Sequence, residues 1–503
     1  MQGKSGSSCQ SRRISCVEIR KVTSWGERPV AERVMRKTKK IYTAGTLTYT
    51  KLGLVSLFGW LLWGDFIFNL MEIVAGSFIP LKLKALDAPN WLIGLALTTV
   101  PAFVGMTVHP VISVASDRTR TRWGRRIPFL LGATPFVTLT LVLIGSSDWI
   151  AGWLQSAFWS GMTPAQVTLW LLAFLVIAFQ FLNTFITSCY IYLFNDVVPP
   201  ELLSRFMALF RIVGIVATSG FQYFLFGKSE THMPEIFIGS AVLYGVFFVV
   251  MCLRVKEGEY PPPEVVEGSG WERVWGNIRT YVVECYSYRF YWWIILGSIL
   301  WGVSFAMISF RVFFAESVGL SLDQFGKLMG VAGVVSAFVL YPAAALADRW
   351  HPIRVILIGL VGLLLVVPMQ LVFLFFDIPP DQARVIYMVL FVLHISVQAF
   401  YHAAQTPLSM RLFPKERFGQ FNTAGAIIAG PIMMLAGLLV GVWLDWLDSR
   451  MEEPLSQYRF YPAWVAACQF LCLIFMLLLY RDWKKLGGDE SYRPPGDNTS
   501  GQP

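Results

Sequence analysis

Apolar residues come along this chain in blocks of about 20, the length that crosses a hydrocarbon core of roughly 30 Å as helix. Twelve such blocks stand out, near 52–79, 90–115, 127–147, 167–193, 206–227, 235–254, 291–316, 325–346, 353–376, 384–410, 420–446 and 461–480. They predict an all-α membrane protein of twelve transmembrane helices. After the sixth block the polar run Glu257, Glu259, Pro261, Pro262, Pro263, Glu264 cannot continue a helix and divides the spans six and six. The expected organisation is a basic N-terminal tail (1–50), a six-helix bundle (51–256), a linker (257–288), a second six-helix bundle (289–486) and a disordered tail (487–503). In the linker Trp271, Trp275, Ile278 and Val282 recur at helical spacing, with Arg273 and Arg279 elsewhere, which predicts a short amphipathic helix on the cytoplasmic surface.

Charge sets the orientation. The turn after the second span holds Arg118, Arg120, Arg122, Arg125 and Arg126, while the turn over 145–164 holds no Lys or Arg but has Trp149, Trp153 and Trp159. Both termini are therefore expected in the cytoplasm and the chain in the cell (inner) membrane, with the tryptophans at the outer interface. Only 15% of residues are charged against 55% hydrophobic, too few charges for an ordinary soluble domain. The first fifty residues carry eleven Lys and Arg against Glu18, Glu27 and Glu32, which accounts for most of the net +9. The remainder is near neutral and offers no basic face to nucleic acid. Met35, followed by Arg36 and Lys37, is an alternative start. Cys9, Cys16, Cys189, Cys252, Cys285, Cys468 and Cys472 show no CxxC spacing, so neither disulfides, a metal site nor any cofactor is expected. No HExxH or GxSxG occurs, and Gly227-Lys228-Ser229 lacks the earlier glycine of a phosphate loop, so no catalytic residues are assigned.

The halves repeat one another. Pro199, Glu201 and Phe206 after the fourth span align without a gap with Pro414, Glu416 and Phe421 after the tenth, and Asp117-Arg118 after the second span with Asp348-Arg349 after the eighth. Internal duplication of this kind is how secondary transporters build a site at the bilayer midplane. A carboxylate within a span is costly unless it meets a partner or a wet cavity. Asp65, Asn69 and Glu72 lie on one face of the first span, either as functional groups or as a structural pair with a buried arginine, for which Arg211 in the fifth span is the candidate. Arg311, nearer an outer end, can snorkel to the interface. Polar stripes recur as Gln180, Asn183, Thr187, Tyr190 and as His394, Gln398, His402, Gln405. The stripe Trp293, Gly297, Trp301, Ser304, Ile308 suits either packing or the apolar face of a sugar ring. Candidate substrate-binding residues are Asp65, Asn69, Gln180, Asn183, Arg211, Trp301, His394 and Gln398, and candidate proton-coupling residues are Asp65, Glu72 and His109.

The segment from Ser116 through Asp117, Arg118, Gly124, Arg125 and Arg126 to Phe129, preceded by Gly105, His109 and Pro110, resembles the loop between helices two and three of major facilitator transporters. It most resembles the form in the glycoside–pentoside–hexuronide:cation and sucrose/proton symporters. Gly64-Asp65-Phe66 looks like the place where melibiose carriers keep a sugar-binding aspartate, and Phe210-Arg211 through Gly220 is similar to the stretch bearing their sugar-site arginine. The chain departs from the sodium-coupled carriers in having Gly105 and His109 where they have acids, and no acid between Asn183 and Tyr190. The resemblance implies a major facilitator fold of two pseudo-symmetric bundles, acting as a monomer in the bilayer. It implies proton-coupled symport, by alternating access, of a glycoside such as sucrose or maltose. Asp117, Arg118, Gly124, Arg125 and Arg126, with Asp348 and Arg349 in the second half, are expected to gate the cytoplasmic side through exchangeable salt bridges. The rivals are an uncoupled or export-type sugar transporter and a non-transporting membrane sensor or pigment-assembly factor on the same fold.

Overall fold

A computed structural model describes residues 42–159, 161–260, 285–414 and 417–495. The basic tail with Met35, the linker from Pro261 through the Trp271 segment, Glu416 of the repeat and the last eight residues lie outside the described residues. Twelve helices or helix runs are long and apolar enough to cross a membrane: α1 Lys51–Ala85, α2 Asn90–His109, α3 Ile127–Gly145, α4 Pro164–Val197, α5 Arg205–Phe224, α6 Phe226–Arg254, α7 Arg289–Ser317, α8 Leu322–Trp350, α9 Pro352–Phe375, α10 Pro380–Leu412, α11 Phe418–Asp448 and α12 Ser456–Lys485.

Local chemistry explains where several begin and bend. At α4 the Thr163 amide donates to Gln166 Oε1 (3.1 Å) and the Gln166 amide to Thr163 Oγ1 (3.3 Å); Ser321 and Gln324 repeat this reciprocal cap at α8 (3.1 and 3.2 Å). Pro80, Pro135, Pro234, Pro342, Pro368, Pro407 and Pro431 sit inside helices, where each removes a backbone donor. Two spans are irregular. α2 carries a π-helical turn at Leu95–Thr99, and α7 runs as α-helix over Arg289–Ser304, as 3₁₀ over Phe305–Phe310 and as α-helix again over Arg311–Ser317.

The packing follows one scheme twice. In the first half α1 packs on α5 and α6, α3 on α4 and α6, and α2 on α4; in the second, α7 packs on α11 and α12, α9 on α10 and α12, and α8 on α10. The bundles then meet by α2 against α11 and α5 against α8, pairs that also exchange under the repeat. These crossings lie on the side where α1, α5, α7 and α11 end, called distal here. Glycine makes them close: a Cβ added at Gly441 would lie 2.4 Å from the Asn90 carbonyl oxygen, at Gly94 2.2 Å from that of Gly437, and at Gly330 2.8 Å from that of Ser219. Asp445 clasps the same side, accepting from the Asn90 amide (2.8 Å), Asn90 Nδ2 (2.8 Å) and the Trp91 amide (2.9 Å). Thr99 Oγ1 donates to the Met434 carbonyl at 2.6 Å.

Three segments are more ordered than the sequence reading has them. The end of the expected tail forms an antiparallel hairpin, β1 Tyr42–Ala44 with β2 Leu47–Tyr49, turning at Gly45 with φ +56°; its alternating β-branched and aromatic residues favour strand. The tryptophan-rich turn contains a helix, Ser147–Ala157, anchored where Lys82 meets Asp148 at 3.0 Å. The expected C-terminal tail begins with a short helix, Gly488–Ser491, after which Tyr492 Oη donates to the Leu412 carbonyl (2.7 Å) and Tyr291 Oη to that of Pro495 (2.9 Å).

Candidate solute cavity between the bundles

Gly64 lets α1 approach α4 and α6, since a Cβ there would lie 2.9 Å from Met251 and 3.0 Å from Tyr190 Oη. Asp65 is thereby carried into the bundle with no exposure. Its Oδ1 accepts from Asn69 Nδ2 at 2.7 Å, and its Oδ2 has no hydrogen-bond partner among the described residues. Two turns on, Glu72 accepts from Asn183 Nδ2. Glu72 is exposed although it stands in mid-helix and its partner Asn183 is buried. The α1 stripe is thus held by amides of its own helix and of α4. His109 Nδ1 shares a hydrogen bond with Ser188 Oγ, tying α2 to α4.

Neither arginine joins these acids. Arg211 is exposed, makes no ion pair with Asp65 or Glu72 among the described residues, and instead lies within electrostatic reach of His402 on α10. The second bundle contributes an aromatic set: Trp301 is 3% exposed and stacks on the buried Tyr401 with centroids 3.6 Å apart, and the exposed His402 meets its edge. His394 is buried and bonds Gln370 at 3.3 Å, while Gln398 is half-buried one turn beyond. Gln180 lines a cavity of about 340 Å³ between the bundles, with Ser77, Gln222, Ser309 and Arg311. Arg311 faces this cavity, whereas the sequence reading left it free to snorkel. Among the described residues no group of three His, Cys, Asp or Glu side chains forms a metal cage.

On the side of the termini the arginine-rich turn makes the expected bridges and more. Asp117 pairs with Arg125 (3.5 Å) and with Arg126, and both arginines also pair with Asp196 at the end of α4. The Asp196 hydrogen bonds hold the Arg125 guanidinium above its ordinary pKa. Gly124, at φ +109°, leaves room for Glu257, whose carboxylate accepts from the amides of Arg125 (2.9 Å), Arg126 (2.8 Å) and Ile127 (2.7 Å). Arg118 is exposed. In the second half Asp348 pairs directly with Arg411 at 3.5 Å, with Arg349 exposed beside it. The sequence reading missed Asp196 and Glu257. The repeat held a signal for the first, because Asp196 and Arg411 stand at the same offset before Pro199 and Pro414.

Solved structures share this architecture. A bacterial homologue of the iron transporter ferroportin, in an inward-facing state, is 14% identical over 85% of this chain and 99% of its own, with a TM-score of 0.59. A D-xylose-proton symporter is 14% identical over 84% and 97%, with a TM-score of 0.60, and the nucleoside transporter NupG is 13% identical over 84% and 99%, with a TM-score of 0.58. At such identities the likeness shows the fold alone. No curated protein matches the chain. The profile of the Major Facilitator Superfamily matches residues 61–438, three quarters of the length and parts of both bundles. With twelve spans, a duplicated packing scheme and a cavity where the halves meet, the chain belongs to the major facilitator superfamily of membrane transporters.

Proposed function

We propose that this transporter is a proton-coupled glycoside symporter working by alternating access, set in the cell membrane with both termini in the cytoplasm. The distally closed arrangement is then the inward-facing state. Asp65 carries the reading: it is an enclosed carboxylate inside a span, held on one oxygen by Asn69 and unpartnered on the other. A carboxylate that is enclosed in one state and hydrated in the other exchanges a proton once per cycle. Asn69, Gln180, Asn183, Arg211, Trp301, His394 and Gln398 are assigned to the sugar, and Glu72 and His109 are secondary proton sites. The bridges of Asp117, Arg125 and Arg126, with Asp348 in the second half, tie helix ends within each bundle in this state and are assigned to gating together with Arg118, Gly124 and Arg349.

The test is sugar-induced proton movement in proteoliposomes, with Asp65→Asn beside the wild type and sucrose, maltose and melibiose as solutes. External alkalinisation in the wild type, absent in the variant, is expected. Sugar entry without protons would make the chain an uncoupled facilitator, and no entry of any sugar would turn attention to a sensor on this fold.

A further inference from the structure

We propose that the solute bears a carboxylate and that Arg311 receives it. This rests on the transport reading above and narrows its solute from a neutral glycoside to an acidic one.

Arg311 begins the last helical piece of α7, directly after the 3₁₀ interruption Phe305–Phe310. Its guanidinium lies over the Phe391 ring, 5.2 Å from the centroid. Its Nε is enclosed with no hydrogen-bond partner, and no carboxylate stands within ion-pair distance of it among the described residues. Among the described residues, the one charged side chain lining the 340 Å³ cavity is this arginine. In a wall that is otherwise apolar, Ser77, Gln180, Gln222 and Ser309, drawn from both bundles, are the polar groups that share it. Gln222 is 6% exposed; its Nε2 donates to Ser77 Oγ at 3.0 Å, and its Oε1 is enclosed without a partner.

Arg311 is half-buried, with its Nε enclosed, and a cation within a span that has no counter-charge is costly. Among the described residues the acids of α1 do not pair with it: Asp65 bonds Asn69 and Glu72 bonds Asn183. The counter-charge is therefore brought by what the cavity binds. Its chemistry follows from the donors. A planar guanidinium presents paired N–H groups that match a carboxylate, and one cation at this end matches one negative charge better than a phosphate dianion. The amides of Gln180 and Gln222 and the hydroxyls of Ser77 and Ser309 suit the hydroxyl groups of the remainder. The volume admits a sugar-sized body, and both bundles must meet to complete the site, which is what binding must do to bias a rocking transporter.

The experiment uses the full chain in proteoliposomes with labelled, matched pairs: glucose and glucuronate, galactose and galacturonate, cellobiose and its uronic acid, together with glucose 6-phosphate. The acidic member is expected to enter with kcat/KM at least about tenfold above its neutral twin, the ratio that one charge-assisted hydrogen bond supports. Arg311→Gln is expected to erase that preference while melting at the wild-type temperature, and Arg311→Lys to keep part of it. Equal or better entry of the neutral twins, or a folded Arg311→Gln that keeps the preference, would overturn the inference and leave symport of a neutral glycoside standing. Preference for the phosphate over every carboxylate would also overturn it. If Arg311→Gln fails to fold, the wild-type ratio decides alone. If no sugar of any pair enters, the transport reading falls and this inference falls with it.

Discussion

His351 stands between α8 and α9 at φ +78°, a left-handed conformation that non-glycine residues seldom adopt. Its Nδ1 accepts from the Ile353 amide (3.4 Å), and its ring stacks on Trp483 with centroids 4.4 Å apart. Burial, helped by the positive charge of Arg411 and Arg354, pulls its pKa down to about 4. The unfolded chain takes up this proton below about pH 6.5 and the folded chain only near 4, so the residue contributes stability that is lost as pH falls through that window. Melting curves in detergent should drop over the window in the wild type and flatten in His351→Gln. Equal slopes would mean that carboxylates elsewhere govern the acid limb. Residues of one helix were the readable ones: Asp65, Asn69 and Glu72 share a face because their spacing puts them there. Which partner Glu72 takes across the bundle was not readable, since a pairing with Arg211 and the actual bond to Asn183 depend on how α4 and α5 are rotated against α1.

Among the elements, the turn between α2 and α3 behaves as a helix cap supplied from the linker. Three amides at the start of α3 point at the Glu257 carboxylate, where the helix dipole also favours negative charge. Glu257→Ala should cost about 1–2 kcal/mol, read as a lower melting temperature, with Glu257→Gln retaining part; an unchanged melt for both would show that the loop holds without it. The bridges of Asp117 to Arg125 and Arg126 were legible because the residues are close along the chain. Glu257 was not, as it lies beyond the sixth span and only the return of α6 brings it back. The repeat reveals a substitution of means: where the first half joins Asp117 to Asp196 through two arginines, the second has Arg411 at the place of Asp196 and joins it to Asp348 directly.

For the molecule as a whole, twelve spans and the duplication were legible because bilayer thickness and repeat spacing are both written in sequence length. The state was not legible, because inward- and outward-facing forms bury similar residues within each bundle and differ chiefly in which ends of α2, α5, α8 and α11 meet. The glycines at those ends now specify one form. Gly330→Leu, placed where an added Cβ alone would lie 2.8 Å from the Ser219 carbonyl oxygen, should prevent distal closure. The variant is expected to reach the membrane and melt normally, to transport nothing, and to expose a cysteine placed at Ser77 to reagents added on the distal side. Wild-type transport rates in this variant would show that α8 shifts at no cost. The seam has one further property. Where backbone lies on backbone there are few rotamers to sort, so in the alternating access proposed above the two sides would part and meet again as fixed surfaces, with little at the joint to repack before the bundles turn.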